Sequence, residues 1–357
     1  MKVGSKPKGL VEWLLVKANQ IPVPLIDSFS AMMNAKAILV ANEMGLFNAL
    51  VERPLPARVL AKHLGASVRG ISDLADALCA NGYLAREGDR VALTEISRKW
   101  LVRSSPSYIG NMLEHVNDLW PIWTKLEEAV RTGAAPGSNY QNWLKDKEHR
   151  RILERHILGL RDMARFTAPE LTRAAPLPRR AHRLLDIGGG HGGYSIAFCE
   201  KYPSLSATVF DLQATSEIGR EIVEREGMSE RVKFEVGDFL ADDFGSDYDA
   251  ALCFNIIHNF SEADNQKVLA KIARALKPGG MLVLWDMFKE PAGARDIQPT
   301  LMALHMLVAS GGTAYLKERV DGWLREAGFD RLRLKHTRTA PGLSLIIARK
   351  KQGRQDR

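Results

Sequence analysis

The sequence has little cysteine and no long apolar run, and each absence excludes a class of protein. Its 357 residues include three cysteines, Cys79, Cys199 and Cys253, which lie far apart and form no CxxC or Cys/His pattern. We therefore expect free buried thiols and a reducing, cytoplasmic environment rather than a disulfide framework or a zinc site. No apolar run approaches the roughly 20 residues that span a bilayer. Prolines, Glu12 and Lys17 interrupt the stretch where a signal peptide would need a continuous apolar segment, so secretion is not expected.

Acidic residues are scarce at the two ends of the chain, which carry most of its net charge of +8. Residues 1–9 hold three lysines and no acid, and residues 349–357 hold five basic residues against Asp356. A nucleic-acid groove needs basic charge clustered along one folded face, so we expect no nucleic-acid partner. With 45% hydrophobic and 26% charged residues, the composition is that of a globular protein. The length suits about two domains.

The first third of the chain has the pattern of a winged helix. Apolar residues recur at every third or fourth position over 26–44, which predicts an amphipathic helix, and another amphipathic segment precedes it around residues 13–14. Short helices are predicted at 56–64 and 71–78. Gly88-Asp89 then marks the turn of a hairpin.

The candidate recognition helix of this winged helix is unsuited to DNA. It carries Asp73 and Asp76, which would repel phosphate, and Arg69 is its one basic residue. We therefore predict that residues 1–110 form a dimerisation domain. A ligand-sensing DNA-binding regulator remains the less favoured alternative.

Residues 111–180 are predicted to be helical and to connect the two domains. Aromatic residues and methionines at helical spacing usually belong to a core, but some of these could line an apolar pocket for a flat ligand. The candidates are Trp120, Trp123, Trp143, Met163 and Phe166.

From residue 181 to 351, short apolar runs alternate with helical patterns, which predicts a doubly wound parallel α/β sheet. The connection at Pro341-Gly342 is too short for a parallel crossover, so the last two strands must form an antiparallel hairpin. Residues 352–357 are left as a basic tail. The predicted strands are 183–187, 206–211, 232–236, 248–254, 281–286, 331–336 and 343–349.

A glycine-rich loop follows the first of these strands. Asp186 precedes the segment 188–193, in which five of six residues are glycine. Such a loop lets a ligand approach the backbone closely at the carboxyl end of a doubly wound sheet, where these folds bind nucleotides. Dinucleotide enzymes have a similar loop, so this signal alone does not identify the ligand.

Polar residues at the ends of the later strands narrow the choice. Asp211 ends the second strand, where a carboxylate suits ribose hydroxyls. Asp238 and Phe239 follow the third strand and suit the amino group and the ring of adenine. His258 follows the fourth. Because parallel strands end at the same edge of a sheet, we expect these side chains to lie together.

Five segments resemble the class I S-adenosylmethionine-dependent methyltransferases, and more narrowly the two-domain small-molecule O-methyltransferases of plant and bacterial type. They are 185–190, 210–212, 237–239, the segment around His258, and 276–280. The resemblance extends over about residues 20 to 350. It implies a Rossmann-like sheet of seven strands with an antiparallel last hairpin, a winged-helix dimerisation domain, S-adenosylmethionine as cofactor and a homodimer.

The resemblance also implies roles for individual residues. His258 occupies the position of the family's catalytic base, and Asp286 is one of two acids that flank it. Ala314 stands where the plant enzymes have the other acid. The implied cofactor-binding residues are Asp186, Gly188, Gly189, Gly190, Asp211, Leu212, Asp238, Phe239 and Asn255. The implied substrate-binding residues are Trp120, Met163, Asn259, His305 and Met306.

These features together predict a methyltransferase that acts on the hydroxyl of a small, flat, mostly apolar aromatic molecule of secondary metabolism. The missing acid at Ala314 leaves a C-methyltransferase on an aromatic or α-keto acid substrate as an alternative. That enzyme could be assisted by a metal between His258 and His305, although no metal is expected. A scaffold that binds the cofactor without transferring methyl is a further alternative.

Overall fold

The computed structural model describes residues 7, 9–136, 147–289 and 297–352. Trp143 and most of the predicted basic tail lie outside the described residues. The chain divides into two compact units, Met1–Asp118 and Leu119–Arg357.

The first unit contains short helices and a three-stranded sheet. A five-residue π-helical stretch, Ile26–Ser30, joins α2 to α3. The helices are α1 (Leu10–Lys17), α2 (Val23–Leu25), α3 (Ala31–Glu43), α4 (Leu46–Ala49), α5 (Ala57–His63), α6 (Val68–Ala80), α7 (Glu95–Trp100) and α8 (Gly110–Asp118). The strands are β1 (Leu55–Pro56), β2 (Leu84–Glu87) and β3 (Arg90–Leu93), in the order β1-β3-β2.

The winged-helix pattern predicted for this unit is confirmed. Ser67 caps α6 by accepting a hydrogen bond from the Gly70 amide at 3.0 Å. The pairing of Glu87 with Arg90 leaves a two-residue hairpin turn, and Gly88 in that turn has a φ of +65°. The two-residue strand β1 was not predicted from the sequence, because two residues carry no periodic signal.

The second unit is a sheet covered by helices on both faces. Its helices are α9 (Trp120–Trp123), α10 (Leu126–Thr132), α11 (Lys147–Ala174), α12 (Gly193–Lys201), α13 (Gln213–Arg225), α14 (Glu262–Ala275), α15 (Ile297–Ala309) and α16 (Lys317–Glu326). Its strands are β4 (Arg183–Ile187), β5 (Ser206–Asp211), β6 (Val232–Val236), β7 (Tyr248–Phe254), β8 (Leu276–Lys289), β9 (Tyr315–Leu316), β10 (Phe329–His336) and β11 (Leu343–Lys350).

The order of the strands confirms the predicted fold class. The sheet runs β10-β11-β8-β7-β4-β5-β6, parallel from β6 to β8, and β11 and β10 add an antiparallel hairpin at the other edge. Two details were wrong. The two-residue strand β9 pairs with β8, which adds an eighth strand, and β8 begins at Leu276 rather than near 281. The pairing of β7 with β8 shifts register between Tyr248 and Ala250. The extra residues of β8 at this bulge include Gly279, whose φ is +75°.

Both faces of the sheet are apolar, as expected for parallel strands covered on two sides. Successive residues of β4 point to opposite layers: Leu184 packs in the core with Phe198 of α12, and Leu185 packs in the core with Leu269 of α14. This burial aligns the carboxyl ends of β4, β5 and β7 at one edge, where the predicted polar residues follow.

Candidate active site

His258 and Asp286 form a buried pair at the end of β7. The chain leaves β7 through Asn255, which has a φ of +56°, and His258 lies in a short 3-10 turn, Ile257–Asn259. Its Nδ1 is 2.7 Å from Oδ1 of Asp286. The same carboxylate oxygen accepts a hydrogen bond from the Met287 amide at 2.8 Å, and Asp286 is fully buried.

This pairing determines which ring nitrogen of His258 can take up a proton. The carboxylate is an acceptor, so Nδ1 donates to it and the neutral ring carries its lone pair on Nε2. A carboxylate in this position also stabilises the imidazolium that forms when Nε2 accepts a proton. The pair therefore has the hydrogen-bond geometry that a histidine general base requires.

The backbone around His258 is held from the neighbouring elements. The Asn255 amide donates to the Trp285 carbonyl at 2.8 Å, which continues the pairing of β7 with β8 up to the turn. The side chain of Asn265 donates to the Ile257 carbonyl at 2.8 Å. The amide of Thr313 donates to the His258 carbonyl at 2.9 Å. The turn is thus hydrogen-bonded to a strand, a helix and a loop.

Support for the imidazole comes from one carboxylate. Ala314 is buried and cannot supply the second acid that the resemblance implies at its position. Glu318, the next acidic residue along the chain, is exposed on α16. Within the described part of the chain, Asp286 is the one carboxylate that hydrogen-bonds to His258.

The glycine loop between β4 and α12 has left-handed backbone at Gly188, Gly190 and Gly192, with φ of +64°, +46° and +66°. A Cβ on Gly188 would lie 2.2 Å from the Ile256 side chain, so this position also needs glycine for space. The amide of Gly190 donates to Oδ2 of Asp211 at 2.9 Å. The loop is therefore tied to the end of β5.

Asp211 and Asp186 lie on either side of this loop. The Leu212 amide donates to Oδ1 of Asp211 at 2.7 Å, so each oxygen of Asp211 accepts one backbone hydrogen bond. Asp186 is buried beneath Gly189 and accepts a hydrogen bond from the Ser195 hydroxyl at 2.7 Å. Burial raises the pKa of Asp186 to about 7 and that of Asp211 to about 6.

Asp238 and Phe239 follow β6 at the same edge. Asp238 is exposed, and its Oδ1 accepts a hydrogen bond from the Leu240 amide at 2.7 Å. The ring of Phe239 lies 6.2 Å from that of Phe210 and 6.0 Å from that of Phe260. The Cζ atom of Phe239 is 3.4 Å from the position of a Cβ on Gly188, which places this ring beside the glycine loop.

Helix α15 brings His305 to the same region, because it packs against α9 and against the turn that holds His258. The indole Nε1 of Trp123 donates to Nδ1 of His305 at 3.2 Å, and the planes of the two rings are 10° apart with their centroids 6.0 Å apart. Burial lowers the pKa of His305, and the neighbouring His258 lowers it further.

The other predicted substrate residues are more dispersed. Met306 is buried on α15. Trp120 on α9 and Met163 on α11 are half-buried. Asn259 is exposed, and its side-chain Nδ2 donates to the Asn255 carbonyl at 3.3 Å. The structure therefore brings His305 close to His258 and leaves the contacts of the other four with a substrate as predictions.

Within the residues that the structure describes, no three His, Cys, Asp or Glu side chains form a group that could hold a metal ion. The metal-assisted alternative would need a third ligand beside His258 and His305. The described residues supply none in a suitable position.

Three residues of this region were given no individual site role from the sequence, although Trp123 was among the candidates for lining an apolar pocket. Trp123 was one of several aromatics at helical spacing, and nothing local distinguishes a partner of His305 from a core residue. Ser195 carries no motif. Gly312 belongs to a Gly-Gly pair, which could have signalled a close approach of two backbone segments.

Comparisons with known proteins show the family of the chain. Residues 123–330 match the O-methyltransferase domain, and residues 26–103 match the O-methyltransferase dimerisation domain. The chain belongs to the O-methyltransferase family. The 3-hydroxy-5-methyl-1-naphthoate 3-O-methyltransferase of Streptomyces sahachiroi is 30% identical over 332 residues, which cover 92% of this methyltransferase and 94% of that protein.

Two further proteins show the breadth of the similarity. The N,N-dimethyltransferase OxyT of Streptomyces rimosus is 30% identical over 315 residues, covering 85% of this methyltransferase and 90% of OxyT. Human N-acetylserotonin methyltransferase, solved in complex with S-adenosylmethionine, superimposes with a TM-score of 0.82 at 21% identity and covers 98% and 100% of the two chains. The latter similarity shows a shared fold.

The protein is thus an S-adenosylmethionine-dependent methyltransferase, as predicted. The residues at the edge of the sheet fit this cofactor. Ribose hydroxyls need acceptors, and both oxygens of Asp211 retain lone pairs beyond the backbone bonds they accept. An adenine ring needs an apolar surface, which Phe239 offers beside the glycine loop. A sulfonium cation suits an edge that carries carboxylates.

Proposed function

We propose that this methyltransferase methylates a hydroxyl group on a flat, mostly apolar aromatic molecule, with His258 as the general base. The observation that carries the proposal is the buried hydrogen bond between His258 Nδ1 and Asp286 Oδ1. A phenol must lose its proton as the new bond forms, because its neutral oxygen is a weak nucleophile. A neutral amine can attack through its lone pair without first losing a proton. The pair therefore favours oxygen over nitrogen, although an N,N-dimethyltransferase is among the relatives.

S-adenosylmethionine supplies an electrophilic methyl group bonded to a positively charged sulfur. With the cofactor bound, its methyl group would pass from sulfur to the hydroxyl oxygen, and Nε2 of His258 would accept the hydroxyl proton. Asp286 stabilises the resulting imidazolium through Nδ1. The rest of the rate enhancement comes from aligning the two reactants, which needs no covalent intermediate with the protein.

We assign the binding residues on the same basis. The cofactor contacts Asp186, Gly188, Gly189, Gly190, Asp211, Leu212, Asp238, Phe239 and Asn255, with Asp186 acting from beneath the loop. The aromatic substrate contacts Trp120, Met163, Asn259, His305 and Met306. Residues 181–351 form the cofactor-binding domain, and residues 111–180 contribute to the substrate pocket.

We also propose that the protein is a cytoplasmic homodimer that binds neither nucleic acid nor membranes. Among the described residues, the helical run Val23–Glu43 is long and apolar enough to cross a bilayer by length and composition alone. The match to the dimerisation domain begins within it, at residue 26. Lys36 in this run donates to the Asn117 side chain, so it belongs to a folded polar network. A second copy of the chain is therefore the proposed cover for its apolar face.

The first prediction tests His258 as the base. His258→Ala removes the proton acceptor but leaves the glycine loop intact. We expect kcat to fall by roughly 10²- to 10⁴-fold, as is typical for loss of a general base. Calorimetric titration with S-adenosylmethionine should give an affinity close to that of the wild type. Methyl transfer to a hydroxynaphthoate, followed with radiolabelled cofactor, measures the rate.

His63→Ala is the matched control, because His63 is exposed on α5. It should change neither rate nor affinity. A His258→Ala enzyme with wild-type turnover would remove the base assignment. A wild type that methylates arylamines and no hydroxyl would show that nitrogen is the acceptor.

The second prediction tests the cofactor site. Asp211→Ala removes the acceptor proposed for the ribose hydroxyls and the hydrogen bond to Gly190. We expect the affinity for S-adenosylmethionine to fall by about tenfold or more, since hydrogen bonds to a charged group are the stronger kind. Titration calorimetry measures this directly. An unaltered dissociation constant would place the ribose elsewhere.

A further inference from the structure

His305 has one ring nitrogen already in use, and this determines what the other can do. The indole Nε1–H of Trp123 is only a donor, so Nδ1 of His305, at 3.2 Å, must accept. The proton of the neutral imidazole is therefore on Nε2. This hydrogen bond, with the two ring planes nearly parallel at 10° apart, fixes the direction in which that Nε2–H points.

The ring stays neutral in this environment. Burial disfavours its charged form and lowers the pKa of His305, and the positive charge that His258 acquires lowers it further. When His258 takes up a proton, His305 therefore keeps its tautomer. A neutral histidine with a fixed tautomer is a directional hydrogen-bond donor.

The Nε2–H of His305 has no partner within the described residues. His305 Nε2 is also not one of the fully buried polar atoms that lack a hydrogen-bond partner, and His305 is only half-buried. The donor is thus accessible. Helix α15 carries it against the turn of His258, so both histidines belong to one region of the fold.

We infer that His305 Nε2–H donates a hydrogen bond to a carbonyl oxygen of the substrate, and that it selects hydroxyaryl ketones over aromatic alcohols without such an oxygen. The inference rests on the proposed function, because it assumes that the hydroxyl of the same molecule faces His258. The two histidines then have opposite hydrogen-bonding roles. His258 accepts from the hydroxyl, and His305 donates to the carbonyl.

The energetic reason for selectivity is the cost of an unpaired polar group. A substrate without the carbonyl displaces water from His305 and leaves its N–H without an acceptor. Leaving a donor unsatisfied costs more than an average hydrogen bond contributes. We therefore expect selectivity of about tenfold or more between two substrates of the same shape.

The test uses pairs of matched compounds. Hydroxynaphthyl methyl ketones with the acetyl group at different ring positions are each paired with the isopropenyl analogue, in which CH2 replaces the carbonyl oxygen. Binding is measured by calorimetry on the wild-type enzyme saturated with S-adenosylhomocysteine. At least one ketone should bind about tenfold more tightly than its analogue. If no ketone is preferred, the inference is wrong.

Variants then assign the preference to His305. His305→Leu should bring the ratio of the two affinities to within about twofold, and His305→Gln, which can donate from a similar position, should retain most of it. Trp123→Phe keeps an aromatic ring but removes the N–H that fixes the tautomer, so the ratio should fall. An unchanged ratio in both His305→Leu and Trp123→Phe would overturn the inference. Trp123→Phe decides alone if the leucine variant does not fold.

The design separates this inference from the proposed function. The acetyl group also makes the hydroxyl more acidic, which affects methyl transfer but is the same for every variant. Preferential binding of a ketone by an enzyme that methylates no hydroxyl would support the role of His305 and contradict the proposed function. Methylation of both compounds, together with equal binding affinities for the ketone and its analogue, would support the proposed function and contradict the role of His305.

Discussion

At the scale of single residues, buried polar groups separate into those that act on ligands and those that support the backbone. Asp186 has almost no exposure, and its hydrogen bond from Ser195 joins β4 to α12 beneath the glycine loop. Its carboxyl group therefore supports the shape of the loop. Such a buried carboxyl group should also affect the free energy of unfolding of the protein.

The third prediction concerns pH. Burial raises the pKa of Asp186 from 3.8 to about 7, so the folded protein binds a proton that the unfolded chain has already released. The unfolding free energy should therefore fall as the pH rises from about 4 to about 7. Asp186→Asn does not titrate and should lose less stability over this interval. Urea unfolding at about pH 5 and about pH 7.5 measures the difference.

Asp73→Asn is the control, because Asp73 is exposed on α6. It should lose stability with pH as the wild type does. Parallel pH profiles for wild type and Asp186→Asn would show that Asp186 is already ionised in the folded protein at low pH.

At the scale of elements, the loop after α15 packs against the turn that holds His258. Gly312 lies so close that a Cβ on it would be 1.9 Å from the His258 carbonyl oxygen and 3.0 Å from the Asn259 Cα. Both are backbone atoms, so they cannot move away as a flexible side chain would. The close approach allows the Thr313 amide to reach the same carbonyl.

The fourth prediction follows from that contact. Gly312→Ala should displace the turn and lower kcat by about tenfold or more, because a small misplacement of a catalytic group is costly. The affinity for S-adenosylmethionine should change little. Methyl-transfer rates and titration calorimetry give the two values.

Gly322→Ala is the matched control within α16, since nothing lies within 4 Å of its added Cβ. It should be neutral for kcat and stabilise the protein by up to about 1 kcal/mol, the difference in helix propensity between glycine and alanine. Equal kcat values for the two variants would contradict the positioning role of the loop.

At the scale of the whole molecule, the first unit exposes several large apolar side chains near its N-terminal end, and exposed apolar patches often mark interfaces. Leu25, Phe29, Met32 and Met33 are each about half exposed on the run from α2 to α3. Since the dimerisation domain begins within this run, association would remove that surface from water.

The fifth prediction tests that association. Phe29→Glu places a charge in the proposed interface and should convert a dimer into a monomer, because burying an unpaired carboxylate is unfavourable. Light scattering after size-exclusion chromatography measures the mass. Val130→Glu, at an exposed apolar position on α10 outside the dimerisation domain, should leave the dimer intact. A monomeric wild type that floats with lipid vesicles would indicate a bilayer instead.

Much of the fold was predictable because its signals are local. The bounds predicted for β4, β5, β6 and β7 agree with the structure. β4, β5 and β7 are mostly buried, as expected for strands covered on both faces, whereas β6 lies at the edge of the sheet and alternates apolar and polar residues. The strands that were missed, β1 and β9, have two residues each, and their pairing depends on neighbours elsewhere in the chain.

The sequence by itself therefore determined the fold class, the glycine loop, the family and its cofactor, because these depend on patterns within short segments. Only the tertiary structure decided the protonation geometry of the site. His258 and Asp286 are 28 residues apart and meet through the pairing of β7 with β8. Trp123 and His305 are 182 residues apart and meet because α9 packs on α15. A side chain's hydrogen-bond partner depends on which distant segments pack together, and local sequence preferences do not encode that choice.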